Sequence, residues 1–234
     1  MEYITHNLIM IMPFFIILMP FVLIHRILEM KKRQYLKIKT TKYRELGVIA
    51  LMYSFILIGT LTLGTSINFF WLPYIAEHID ESLKSINFIT FKGMIEFTIH
   101  GFVNIFGNIF MFIPFGFCAA LLSQREKKVK HIVLQGVGIS LGIEITQVLI
   151  IRAADINDII LNIVGTFLGV YLLNLLEKHF PSFFRKFIPD KLINELTLKD
   201  KRKSNVITIL QIVLWIVLCV NLKYMVMNFY QFRF

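Results

Sequence analysis

The chain has 234 residues, of which 56% are hydrophobic, and it carries a formal net charge of +10. Ordinary soluble domains are only about 45–50% apolar, so this composition argues against a water-soluble fold. No aromatic-interleaved RNA motif or basic recognition helix accompanies the positive charge, and we therefore expect no nucleic-acid partner.

Long apolar runs follow one another along the chain, and their length indicates the fold class. A bilayer core about 30 Å thick requires roughly 20 apolar residues per helix, and the alternating segments of about ten residues that build a membrane β-barrel are absent from the sequence. We predict an all-α, polytopic transmembrane bundle that forms a single membrane domain over residues 1–234. The six predicted spans lie near residues 7–28, 46–66, 101–122, 131–151, 158–176 and 205–227.

Basic residues are concentrated on one side of these spans. Of the 25 Lys and Arg residues, 20 fall near span ends that would share one face of the membrane, and positive charge is retained on the cytoplasmic side. The loops 29–45 and 177–204 are therefore predicted to be cytoplasmic, while the segment 67–100 and both termini face outward. Phenylalanines within the loop 177–204 fit either an amphipathic segment on the inner leaflet or a solvated loop whose aromatic residues anchor helix ends.

Polar side chains inside apolar spans are costly and usually face the bundle interior, so they mark the candidate site. The third, fourth and fifth spans each carry one pair at a spacing of three or four residues, which places both members on one helix face. The pairs are Asn104 with Asn108, Glu144 with Gln147, and Asp158 with Asn162.

The depth of these side chains follows from residue counting at 1.5 Å per residue. Asn108 and Glu144 both come out about 10 Å below the outer helix ends. Arg152, Asp155 and Asp158 then lie at the rim. An ionised Glu144 at that depth requires a partner, or else protonation. We predict a single ligand-binding pocket that opens outward, provided that the three spans are neighbours.

Small residues indicate where these spans approach one another. Gly138 and Gly142 form one pair at a spacing of four, and Gly165 and Gly169 form another. Helices in lipid associate largely through close backbone packing, which such pairs permit. On the fifth span the glycines continue the stripe of the polar pair, so we expect both pairs to lie at helix contacts.

The same residues carry a family resemblance. The strings NIFGNIFMFIPFG at residues 104–116 and EITQVLIIRAADINDIILNIVGTFLG at residues 144–169 resemble the VanZ family of bacterial membrane proteins. The resemblance defines a core of about residues 101–176 and adds Pro114 and Gly116 to the residues expected at helix contacts. It implies a multi-pass protein of the bacterial cytoplasmic membrane that lowers susceptibility to teicoplanin and related lipoglycopeptides, without the enzymes that remodel the antibiotic's target.

Three functions fit these features. The first is a non-enzymatic protein without a cofactor, whose pocket binds a lipid headgroup, a lipid-linked wall precursor or a lipid-tailed antibiotic. The second is a membrane-embedded enzyme acting on an outer-leaflet lipid, in which Glu144 is an acid or base and Asp155 or Asp158 holds a divalent cation. The third is a small lipid transporter. We favour binding, because no Ser-His or phosphatase motif is present and the inner halves of the polar spans contain almost no ionisable residue. Any catalytic residue, any metal ligand and the oligomeric state stay open.

Overall fold

The computed structural model describes residues 41–62, 99–123, 128–149 and 153–187, residues 19–31 except 21 and 28, and residues 80, 83, 84, 86 and 87. Within this part of the chain the architecture is helical, and a lone β-bridge pairs Asn87 with Asp155. Residues 22–27 are helical as well. The bounded helices are α1 Lys42–Thr62, α2 Ile99–Leu122, α3 Lys128–Leu149, α4 Ile156–His179 and α5 Pro181–Arg185.

Four of these helices are long and apolar enough to cross a membrane, with 20 to 24 residues in each apolar segment. At 1.5 Å per residue such segments measure about 30–36 Å, which matches a hydrocarbon core about 30 Å thick. The helical fold class is confirmed, and so are the second to fifth predicted spans, whose ends move by at most four residues. The sixth predicted span, both termini and the first span apart from residues 19, 20 and 22–27 lie outside the described residues.

Helices α2 and α4 touch through their backbones. A Cβ atom added at Gly165 or Gly169 would overlap a carbonyl oxygen of α2, and one added at Gly116 would overlap the carbonyl oxygen of Thr166. Pro114 lies inside α2 in the same stretch and is half-buried. Because lipid provides no hydrophobic drive between helices, this close approach supplies the packing that holds α2 against α4.

The glycine pair of α3 was predicted to lie at a helix contact, and the structure does not show one there. Gly138 and Gly142 are exposed, and a Cβ atom added at either meets no described atom within 4 Å. The contact with α4 runs instead through Gly136, where an added Cβ atom would lie 2.6 Å from Oγ1 of Thr166. At about 100° per residue, Gly138 lies roughly 160° around the helix from Gly136 and Ser140, so the pair faces away from the bundle.

Apolar clusters fill the bundle at two levels. One joins α1, α2 and α3 in the middle of the bundle, and the other lies where α2 and α4 end. Phe184 and Phe187 belong to the second cluster, although the sequence placed them in a cytoplasmic loop. In fact α4 continues to His179, and α5 folds back over the end of the bundle. The loop 177–204 therefore begins as packed structure.

The start of α1 also differs from the predicted loop 29–45. α1 begins at Lys42, and residues 29–31 are helical. A buried ion pair between Arg26 and Glu45 joins the helical residues 22–27 to α1, with Arg26 Nε 3.1 Å from Glu45 Oε2. We call this end of the bundle, where α1 and α3 begin and α2 and α4 end, the basic end, and the opposite end the acidic end.

Candidate functional site

The acidic end is organised around the start of α4. Asp155 is the N-cap residue of this helix, with extended backbone angles and with Oδ1 accepting from the backbone N–H of Asn157 at 2.8 Å. Such a cap satisfies one of the unpaired N–H groups of a helix start and stabilises it by about 1 kcal/mol. The other carboxylate oxygen of Asp155 accepts from Nδ2 of Asn87 at 3.0 Å. The described part of the outer segment thus packs onto the site.

Glu144 connects α3 to the same turn. Its side chain is only 6% exposed, and Oε2 accepts from the backbone N–H of Asp155 at 2.9 Å. Carboxylates that accept from N–H donors make short, strong hydrogen bonds. The bond places Asp155, the N-cap residue of α4, beside Glu144, so α4 starts close to that carboxylate.

This start of α4 beside Glu144 corrects the depths inferred by counting. Asn108 Nδ2 donates to Asp158 Oδ1 at 2.6 Å, although counting placed Asn108 about 10 Å deeper than the rim position given to Asp158. Residue counting assumed that every helix starts in one plane, and the start of α4 does not fit that assumption. Asn104 accepts from Asn108 Nδ2 only at 3.5 Å, the limit of a hydrogen bond. Its side chain stays exposed.

Two further predicted residues make contacts between helices. Asn162 is 1% exposed and donates from Nδ2 to Ser140 Oγ at 2.9 Å, joining α4 to α3. Gln147 donates from Nε2 to the carbonyl oxygen of Thr62 at 3.2 Å, joining α3 to the end of α1. Sequence reasoning missed both partners. Ser140 could have been found because it lies four residues before Glu144 on the same helix face.

Gln147 and Asn162 also offer buried hydrogen-bond acceptors. Gln147 Oε1 and Asn162 Oδ1 have no partner among the described residues, although both side chains are more than nine-tenths buried. The orientation of the Gln147 amide is fixed, because the Thr62 carbonyl can only accept and therefore must face the NH₂ group. An unpaired buried acceptor costs about 1–3 kcal/mol, so a donor that reaches Gln147 Oε1 would be bound favourably.

One residue of the predicted site lies outside the described part of the chain, and that part shows no cation-binding cluster. Arg152 lies outside the described residues. Among the residues that are described, no group of three or more His, Cys, Asp or Glu side chains is arranged to hold a metal ion. Asp155 and Asp158, which the enzyme hypothesis assigned to a cation, each accept a hydrogen bond from an asparagine amide.

These observations define a class of protein: a multi-pass helical membrane protein with a cluster of hydrogen-bonded polar side chains at the acidic end of the bundle. A family model described as VanZ/LLP1 matches residues 48–177, which is 130 residues and more than half of the 234-residue chain. The chain belongs to the VanZ/LLP1 family. Comparisons with curated proteins and with solved structures give no match.

The family match extends the unit that the sequence resemblance defined. It begins inside α1 and runs through α4, whereas the resemblance started at about residue 101. The structure explains the difference, because Gln147 bonds to the last residue of α1 and the central apolar cluster includes Ile58. Family membership makes the chain a VanZ-like membrane protein and links it to antibiotic resistance.

Proposed function

We propose that the acidic end is an outward-facing binding site for the polar head of an amphiphile, and that this binding lowers susceptibility to teicoplanin and related lipoglycopeptides. The candidate ligands are a lipid headgroup, a lipid-linked wall precursor and the lipid-tailed antibiotic itself. The observation that carries the proposal is the buried oxygen of Gln147, which has no partner among the described residues and lies one helical turn from Glu144.

The chemistry of the site favours a ligand rich in hydrogen-bond donors. Glu144, Asp155 and Asp158 contribute carboxylates, and Gln147 and Asn162 contribute amide oxygens without a described partner. Peptide N–H, sugar O–H and ammonium groups all complement such a set. Asn104 is exposed and lies one helical turn before half-buried Asn108 on the same face of α2, which leaves a polar group at the mouth of the site.

The orientation of the bundle supports a site open to the outside. Among the described residues, the basic end carries nearly all the lysines and arginines, while Lys84 lies near the acidic end. The positive-inside rule then assigns the basic end to the cytoplasm of a bacterial cell. The apolar cluster that contains Phe184 and Phe187 fills the basic end, which favours binding from one side over transport across the membrane.

The proposal is tested by removing two carboxylates one at a time. We expect Glu144→Gln and Asp158→Asn each to return teicoplanin susceptibility to the level of cells that lack the protein, with normal amounts of protein in the membrane. Glu177→Gln is the matched control, since it removes a carboxylate at the other end of α4 and should leave susceptibility unchanged. Unaltered susceptibility in both site variants would remove the acidic end from consideration.

Direct binding separates the candidate ligands. Purified protein is titrated with teicoplanin by calorimetry, and the Glu144→Gln variant serves as the comparison. Heat of binding that the variant loses identifies the antibiotic as the ligand. No heat with the wild-type protein, together with the susceptibility effects above, assigns the site to a lipid headgroup or a wall precursor.

A further inference from the structure

The basic end carries a second surface that the proposed function does not use. It joins two segments far apart in sequence: Thr41 Oγ1 donates to the carbonyl oxygen of Lys186 at 2.8 Å. The Tyr43 ring meets the rings of Phe183 and Phe187 edge-on, with centroids 6.3 and 5.7 Å apart. Lys186 Nζ lies 5.2 Å from the centroid of Tyr43. These contacts fix α5 against the start of α1.

The phenylalanines around α5 divide into two groups. Phe184 and Phe187 are 7% and 6% exposed and pack into the apolar cluster at the basic end. Phe180 and Phe183 are 58% and 46% exposed, although the Phe183 ring also contacts the rings of Phe184 and Phe187 edge-on. The buried pair holds the segment in place, and the exposed pair presents apolar surface beside it.

Exposed cations surround these rings. Lys42, Lys178, Arg185 and Lys186 are all exposed, and neither residues 41–44 nor residues 178–187 include an acidic residue. The surface is therefore both aromatic and uniformly positive. We call it the aromatic–basic patch, comprising Lys42, Tyr43, Lys178, Phe180, Phe183, Arg185 and Lys186.

The patch lies at the level of lipid headgroups. It follows directly on α4, whose 24 residues measure about 36 Å and so use up the thickness of the hydrocarbon core. Aromatic rings are enriched at this boundary, and cations there attract acidic lipids of the cytoplasmic leaflet. A free phosphate would satisfy the cations alone, whereas a phospholipid also covers Phe180 and Phe183.

We propose that the aromatic–basic patch binds an acidic glycerophospholipid of the cytoplasmic leaflet. Arg185, Lys186 and Lys42 contact the lipid phosphate, and Phe180 and Phe183 contact the glycerol and the upper acyl chains. This site is independent of the polar site at the acidic end, because the two lie at opposite ends of membrane-spanning helices.

The test compares lipid retention by the full-length protein in detergent, measured by native mass spectrometry. The probes are palmitoyl-oleoyl phosphatidylglycerol and palmitoyl-oleoyl phosphatidylcholine, which differ in headgroup charge and share acyl chains. We expect the wild-type protein to retain phosphatidylglycerol preferentially. Arg185→Gln with Lys186→Gln should reduce that preference about thirtyfold, which corresponds to about 2 kcal/mol for the loss of two cations near the membrane surface.

Matched variants distinguish lipid binding at the patch from a general attraction of anionic lipid to the positively charged end of the protein. Lys130 is an exposed cation at the same end, on α3 and outside the patch, so Lys130→Gln should keep the preference. Phe180→Ser with Phe183→Ser should weaken retention of phosphatidylglycerol while leaving the protein monodisperse. If the double charge variant does not fold, Lys42→Gln and Lys178→Gln provide the same readout on other segments of the patch.

Three results would overturn the proposal. These are equal retention of the two lipids by the wild-type protein, unchanged preference in the charge variants, and an equal loss in Lys130→Gln. Glycerol phosphate should not displace the bound lipid, and displacement would reduce the site to a phosphate site. Arg185→Gln with Lys186→Gln should leave teicoplanin susceptibility at the wild-type level, so failure of this proposal and failure of the proposed antibiotic-related function are distinguished.

Discussion

Among the described residues, each end of the bundle has a glutamate that is buried to the same extent, and the two glutamates have different hydrogen-bond partners. Glu45 at the basic end and Glu144 at the acidic end are both 6% exposed. Glu45 forms an ion pair with the guanidinium of Arg26. Glu144 accepts from a backbone N–H in the turn before α4. Equal burial therefore does not indicate an equal role.

The partner of each carboxylate indicates what that end of the bundle does. A buried ion pair between two helical segments fixes their relative position, and losing one member is costly. Around Glu144, by contrast, the amide oxygens of Gln147 and Asn162 have no described partner, and Asn104 is exposed. The basic end is thus a structural joint, meaning that its buried charges are paired with each other. The acidic end has hydrogen-bond acceptors without a described partner, which a ligand could use.

The largest expected effect is a loss of stability when the buried ion pair at the basic end is broken. Arg26→Met removes the guanidinium beside Glu45 and should lower the free energy of unfolding by about 3–5 kcal/mol, as is usual when one partner of a buried ion pair is removed. Thermal or denaturant unfolding in detergent micelles measures the change. Arg26→Met combined with Glu45→Met should recover most of the loss, because the second substitution removes the buried charge. Wild-type stability in Arg26→Met would show that the basic end is no structural joint.

A smaller loss of stability is expected at the contact between α2 and α4. Gly165→Ala places a methyl group where the backbone of α2 already lies, and such overpacking costs about 1–3 kcal/mol. Gly138→Ala is the same chemical change at an exposed position with no described atom within 4 Å. We expect it to preserve stability, because Ala is the better helix former. Equal destabilisation by the two variants would contradict the assignment of α4, rather than α3, as the partner of α2 at this contact.

Run length and polar spacing were sufficient to predict much of this arrangement. The bounds of α1 to α4 agree with the predicted spans to within four residues, because burial in a bilayer imposes a length on every helix. Gly165 and Gly169 of α4 also lie at a helix contact, and Asp158 and Asn162 on the same stripe bond to α2 and α3. When polar and small residues share one stripe of a helix, both residue types indicate that this face meets other helices.

Features that depend on rotation or on turns could not be predicted in the same way. The pair Gly138 and Gly142 has the same spacing as Gly165 and Gly169, yet it lies on the opposite side of α3 from Ser140. Spacing alone carries no information about which face meets a neighbour. The level of Asp158 depended on where α4 starts relative to α2 and α3, which residue counting does not include.

The smallest expected effect is the loss of stability when the hydrogen bond between α3 and α4 is removed. Ser140→Ala removes the acceptor of the Asn162 amide, and hydrogen bonds between membrane helices contribute about 0.6 kcal/mol on average. Thr146→Ala is the control, since Thr146 is bonded to the carbonyl of Gly142 in its own helix. Unfolding of the two variants in the same micelles, analysed as a difference, measures the contribution of the bond between α3 and α4. A small loss in Ser140→Ala, set beside the large loss in Arg26→Met, means that the bond between α3 and α4 contributes less to stability than the ion pair at the basic end. A loss comparable to that of Arg26→Met would instead make the acidic end a second structural joint.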